Sequence, residues 1–170
     1  MLKSPPRITY PLHTVLGELP TAGIFVVSSL RLWARAHCGC GAGDPDWREG
    51  LEQARIGPDG ARAFDTVWRV IALSALRALD IRPLQCPRLG ADEAWFLSVL
   101  ALLQQDLMPE AESLLNTLLP PCATRFLISP AHTLATALGR SRLWLSQPAI
   151  GNIATLAQLT MLPLQASRLH

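Results

Sequence analysis

The chain has 170 residues, about the size of one domain and enough to bury a substantial core. Hydrophobic residues make up 49% and charged residues 16% of the sequence, and this composition excludes an intrinsically disordered chain. The formal net charge of +2 is too small to indicate, by itself, a surface that binds nucleic acid.

The apolar content indicates a buried core or a subunit interface. Mean hydropathy is +0.24, but apolar runs such as residues 70–76 are far shorter than the roughly 20 residues that a transmembrane helix needs. The residues after Met1 lack the apolar region of a secretory signal, and four cysteines without such a signal favour a reducing compartment. We therefore expect a cytoplasmic protein without a membrane span.

Apolar residues recur at helical spacing along most of the chain. Four prolines keep residues 1–20 irregular, and Thr21 is placed to cap the first helix. One face of this helix is predicted to carry Phe25, Leu32, Trp33 and Ala36. The predicted helices cover residues 21–36, 47–55, 61–80, 92–105, 109–119, the segment that follows Ser129 and Pro130, and 150–159.

Two patterns are the clearest. Between residues 61 and 80, four large apolar residues keep the spacing of one helix face: Phe64, Val67, Trp68 and Ile71. The helix over 92–105 has almost no polar face, which is typical of a central helix packed on several sides. Together with the next helix it predicts an antiparallel helical hairpin at 92–119.

These elements predict an all-α fold. We expect a single irregular, orthogonal bundle of five to seven short helices, because the loops vary too much in length for a regular four-helix bundle. The helical domain is predicted to span residues 21–160, and residues 161–170 form a tail.

Three cysteines and a histidine lie in two loops and form a candidate metal site. His37, Cys38 and Cys40 stand close together, and Cys86 lies in a second loop before Pro87. Thiolate and imidazole ligands suit zinc or an iron–sulfur cluster. The spacing lacks the two paired knuckles of a typical zinc module, so small buried or turn residues are an alternative interpretation.

Two other segments resemble known binding motifs. Residues 39–44 resemble the glycine-rich loop of class I S-adenosylmethionine-dependent methyltransferases, but the strand that should precede such a loop is replaced by a predicted helix. Residues 155–169 resemble a helix-turn-helix, with Arg168 on its second helix. This resemblance implies a DNA-binding regulator, although the near-neutral charge argues against a nucleic-acid partner.

The sequence lacks the motifs of hydrolytic enzymes. Its four histidines do not stand in HExxH spacing, and no serine lies in a G-x-S-x-G elbow. The apolar surplus and five tryptophans instead favour a non-enzymatic interaction or regulatory protein that acts through protein–protein contacts or self-association. A metal-binding module and a DNA-binding regulator are the alternatives.

Overall fold

The computed structural model describes Tyr10 and residues 14–145, and this part of the chain is all-helical. It contains no strand apart from one isolated bridge between Val15 and Arg88. A short 3-10 helix, Leu16–Glu18, precedes the α-helices, which are α1 (Thr21–His37), α2 (Trp47–Gln53), α3 (Gly57–Ser74), α4 (Ala91–Leu103), α5 (Met108–Leu115) and α6 (Pro121–Arg140). The predicted all-α bundle is confirmed.

The first helix has nearly the predicted bounds, but its buried face matches the predicted one only in part. Trp33 is buried as expected, whereas Phe25 and Leu32 are only partly buried and Ala36 is exposed. Val26, Leu30 and Arg31 are buried instead. Arginine is rarely buried without a partner. Here it has one, since Arg31 forms an ion pair with Glu93 and both side chains are fully buried.

Helix α3 begins earlier and ends earlier than its predicted range of 61–80. Gly57 adopts a positive φ of 76°, and Pro58 then lies in the first turn of the helix. Gly57 and Pro58 fall between the predicted helices at 47–55 and 61–80, but proline is favoured at a helix start because an N–H group there has no partner within the helix. At the other end, Leu76 N–H donates to Leu118 C=O rather than continuing the helix.

Helix α6 begins at Pro121 and continues through Pro130 to Arg140. The prediction that Ser129 and Pro130 start a helix is therefore wrong. Ala123, Leu127 and other residues on both sides of Pro130 form one buried stripe. Burying this continuous stripe outweighs the helical hydrogen bond that the proline cannot donate.

Helices α3 and α6 pack together with antiparallel directions. A Cβ placed on Gly60, near the start of α3, would lie 2.9 Å from Cβ of Ala137, near the end of α6. At the opposite end, the hydrogen bond from Leu76 N–H to Leu118 C=O joins the segment after α3 to the segment before α6. The two long helices thus form one extended pair.

The hairpin of α4 and α5 supplies the centre of the core. Trp95 Nε1, near the start of α4, donates to Leu114 C=O at the end of α5 over 3.0 Å, so the helices are antiparallel as predicted. Nearly every residue of α4 is buried. Four of the five tryptophans also belong to the core, namely Trp33, Trp47, Trp68 and Trp95.

A buried polar network fixes the long connection between α3 and α4. Glu93 Oε2 accepts the Gly90 N–H over 2.7 Å, and Arg31 donates to the carbonyls of Cys86 and Arg88. The neighbouring Asp92 is also buried and pairs with Arg77. Asp92 and Glu93 lie in the first turn of α4, and they therefore do more than complement its N-terminal dipole.

Within the described ranges, no helix combines the length and the apolar character required to cross a lipid bilayer.

Candidate functional site

The cysteine pair lies in the turn that ends α1. Cys38 N–H donates to Ala34 C=O, and Cys40 N–H reaches back to Arg35 C=O over 3.2 Å. Gly39 between them has a φ of 73°, the left-handed conformation that glycine adopts without strain. This is the Schellman arrangement of a helix end, and it places both cysteines in one exposed turn.

Arg35 holds this turn together. Its Nη2 donates to the Cys40 C=O over 2.9 Å, and its Nε donates to the Asp44 carboxylate. Both partners lie beyond the end of the helix, so one guanidinium group ties the loop to α1. The loop conformation is therefore set before any ligand binds.

Both thiols donate to backbone carbonyls of the same turn, Cys38 Sγ to Arg35 C=O over 3.3 Å and Cys40 Sγ to Cys38 C=O over 3.5 Å. Hydrogen bonding with the neighbouring cysteine lowers the pKa of Cys38 and raises the pKa of Cys40. The positive charge of Arg35 favours the thiolate form at both positions. Thiolates are the nucleophilic and metal-binding forms of cysteine, so this turn can react with or bind a soft ligand.

His37 has partners both on its own helix and on α3. Its ring stacks on Trp33 at 4.0 Å between centroids, and its Nδ1 lies 2.8 Å from the Trp33 carbonyl oxygen. Its Nε2 lies 3.7 Å from Asp65 on α3. Burial raises the pKa of Asp65, but hydrogen bonds from Trp33 and Arg69 outweigh this effect and lower it overall.

Cys86 lies near the middle of α1 rather than near its end. Its carbonyl oxygen accepts from Arg31 Nη1 over 2.6 Å, and Arg31 precedes Cys38 by seven residues, or about 10 Å along a helix axis. Among Tyr10 and residues 14–145, no group of three or more His, Cys, Asp or Glu side chains could hold a metal ion. The four-ligand zinc or iron–sulfur site stays a prediction from sequence.

A second feature is a set of exposed apolar side chains that we call the apolar end: Leu73, Leu76 and Phe126. Leu73 and Leu76 lie at and just beyond the end of α3, and Phe126 lies in the second turn of α6. Their exposed fractions are 88%, 68% and 65%. Because α3 and α6 are antiparallel, all three belong to the same end of the helix pair. Sequence reasoning missed them, since their spacing alone does not separate exposed from buried leucines.

Two adjoining clefts lie toward the other end of α6. Their volumes are about 310 Å³ and 540 Å³, and both are bordered by His132, Thr136 and Arg140. His132 Nε2 lies 3.8 Å from Asp106 Oδ1, whose side chain is almost fully exposed. Water screens such a pair, so its electrostatic interaction is weak.

The predicted helix at 150–159, the helix-turn-helix resemblance at 155–169 and the predicted tail at 161–170 lie outside the described residues. The DNA-binding alternative is therefore still a prediction. No protein-family model matches the chain, and neither a curated protein nor a solved structure matches it significantly.

Proposed function

We propose that this protein is a non-enzymatic interaction protein whose apolar end binds an apolar segment of a partner protein flanked by acidic residues. The observation that supports this function is the presence of three exposed apolar side chains at the same end of the α3–α6 helix pair. Five large hydrophobic residues are exposed in the described part of the chain, and three of them form the apolar end. Clusters of this kind are typical of interaction sites, whereas scattered single residues are not.

The charges around the apolar end favour an acidic partner. The charged residues of 69–77 and 121–129 are all arginines: Arg69, Arg77 and Arg125. Asp65 and Asp92 neutralise the first two in part, and Arg125 is exposed on α6 beside Phe126. A second copy of this chain would bring arginines toward arginines, whereas acidic flanks would bring opposite charges together.

The tryptophans give this function little support. Four of the five are core residues, and only Trp144 is largely exposed, at 60%. Much of the apolar surplus that suggested an interface from sequence is therefore used inside the bundle. The proposal rests on Leu73, Leu76 and Phe126 instead, and it retains the cytoplasmic location predicted from the cysteines.

The test uses two synthetic peptides of roughly 18 residues, or about five helical turns. Both carry leucines on one helical face, and they differ only in having glutamate or lysine beside that face. We expect the glutamate peptide to bind and the Leu73→Ser/Phe126→Ser double variant to bind it about tenfold more weakly or worse, a loss of about 1.4 kcal/mol. Fluorescence anisotropy at low and high salt measures the affinity of the parent chain and of the double variant for each peptide.

The matched control is Trp144→Ser, which removes an exposed large side chain outside the apolar end and should leave binding unchanged. Equal binding of both peptides, or unchanged binding by the double variant, would contradict the proposal. Sedimentation provides a further check. A dimer that the double variant abolishes would assign the apolar end to self-association and overturn the acidic partner.

A further inference from the structure

We propose that Cys38 and Cys40 form a two-coordinate site for a soft monovalent cation, Cu(I), built into the turn that ends α1. This site differs from the zinc or iron–sulfur site predicted from sequence, because it needs neither His37 nor Cys86. It is also independent of the proposed docking function, since it lies on a different part of the bundle.

The first support is the position of the two sulfur atoms. Both cysteines are exposed, so an ion can reach them from solvent. Cys38 Sγ lies 3.3 Å from the Arg35 carbonyl oxygen and Cys40 Sγ lies 3.5 Å from the Cys38 carbonyl oxygen, so both sulfur atoms lie within the same turn. One residue separates them in sequence, and that residue is a glycine in the left-handed conformation. The turn therefore brings two soft ligands to one point on the surface.

The second support is the rigidity of the turn. Hydrogen bonds from Cys38 and Cys40 to the last carbonyls of α1 fix the backbone. Arg35 holds the Cys40 carbonyl and the Asp44 side chain. Gly41 allows the chain to pass close to the helix end, since a Cβ there would lie 3.3 Å from Arg35 C=O. A preformed site loses less entropy when it binds its ion.

The number of available ligands selects the ion. Structural zinc and iron–sulfur sites take four protein ligands. In residues 14–145, no third His, Cys, Asp or Glu joins this pair in a metal-binding group. His37 is directed at Asp65, and Asp44 is bound to Arg35. Thiolates are soft ligands that favour Cu(I), so a site with only two of them suits this ion.

The charge balance of the site also favours Cu(I). Binding converts two thiols and one Cu(I) into a bis-thiolate complex with one negative charge and releases two protons, without oxidation or reduction. The nearest cation, the guanidinium of Arg35, compensates that negative charge. A divalent ion with the same two thiolates would leave open coordination positions for water and a weaker complex.

The test measures Cu(I) binding to the full chain under anaerobic, reducing conditions, in competition with a chromophoric Cu(I) chelator. We expect one ion per chain, and we expect the Cys38→Ser/Cys40→Ser double variant to lose affinity by about a hundredfold or more. Cys122→Ser is the matched control, because Cys122 is also exposed but lies alone on α6. Cys86→Ser is the control for the four-ligand site. Both controls should bind like the parent chain.

Four outcomes would overturn the proposal. These are retained affinity in the double variant, loss of affinity in Cys86→Ser, one ion per two chains, and zinc binding as tight as Cu(I) binding. Circular dichroism of the double variant verifies its fold, which should be unchanged because both side chains are exposed.

Discussion

Arg31 and Glu93 show how single residues connect distant parts of this chain. The pair is bidentate, with Arg31 Nε and Nη2 each 2.8 Å from a different oxygen of Glu93. Glu93 also accepts the N–H groups of Arg82 and Gly90, and Arg31 donates to two carbonyls of the same connection. Two side chains thus tie α1, α4 and the intervening loop together.

Glu93→Ala should destabilise the protein strongly. The substitution leaves the Arg31 guanidinium buried without its carboxylate and leaves two backbone N–H groups without acceptors. Removing one member of a buried ion pair typically costs about 3–5 kcal/mol. Urea unfolding followed by circular dichroism would measure this loss.

An exposed ion pair provides the control. Arg62 pairs with Asp59 on the surface of α3, with both side chains about four-fifths exposed. Arg62→Ala should therefore change the free energy of unfolding by less than about 0.5 kcal/mol. Similar effects of the two substitutions would contradict the view that burial gives the Arg31–Glu93 pair its importance.

At the scale of elements, the predicted helices were more reliable in their existence than in their bounds. The buried face of α3 follows the predicted stripe, and α4 is central as expected. The observed bounds of α3 and α6 differ from the predicted ones because proline and glycine are found both at helix ends and at helix starts. A Gly-Pro pair can end one helix or begin the next, and packing decides between them.

Two glycines in helices provide an element-scale prediction. Gly60→Ala should destabilise the protein by about 1–3 kcal/mol, because its Cβ would lie 2.5 Å from Ile56 Cγ2 and 2.9 Å from Ala137 Cβ. Gly50→Ala in α2 meets no atom within 4 Å and should stabilise by about 0.5–1 kcal/mol through helix propensity. Thermal unfolding of both variants measures the difference. If both substitutions changed the stability in the same direction, this result would contradict close packing of α3 on α6.

For the whole molecule, the buried apolar residues of all six described helices form one cluster. Trp33, Trp68 and Phe96 connect α1, α3 and α4 through ring contacts within it. A core shared in this way cannot lose one helix without exposing the others. The bundle is therefore expected to unfold as a unit.

Equilibrium unfolding should give a single transition in urea. Tryptophan fluorescence reports mainly on the four buried tryptophans, and far-ultraviolet circular dichroism reports on the helices. Their midpoints should coincide. Separate midpoints, or a transition that involves only part of the helical signal, would mean that the cluster is divided into independent units.

The sequence by itself determined the all-α class, the approximate positions of most helices and the central place of α4, because hydrophobic periodicity acts locally. Only the tertiary structure decided where α3 ends, that Arg31 and Glu93 meet inside the core, and that Leu73, Leu76 and Phe126 lie exposed at one end of a helix pair. Those outcomes depend on contacts between residues far apart in the chain. A local pattern does not encode contacts of this kind.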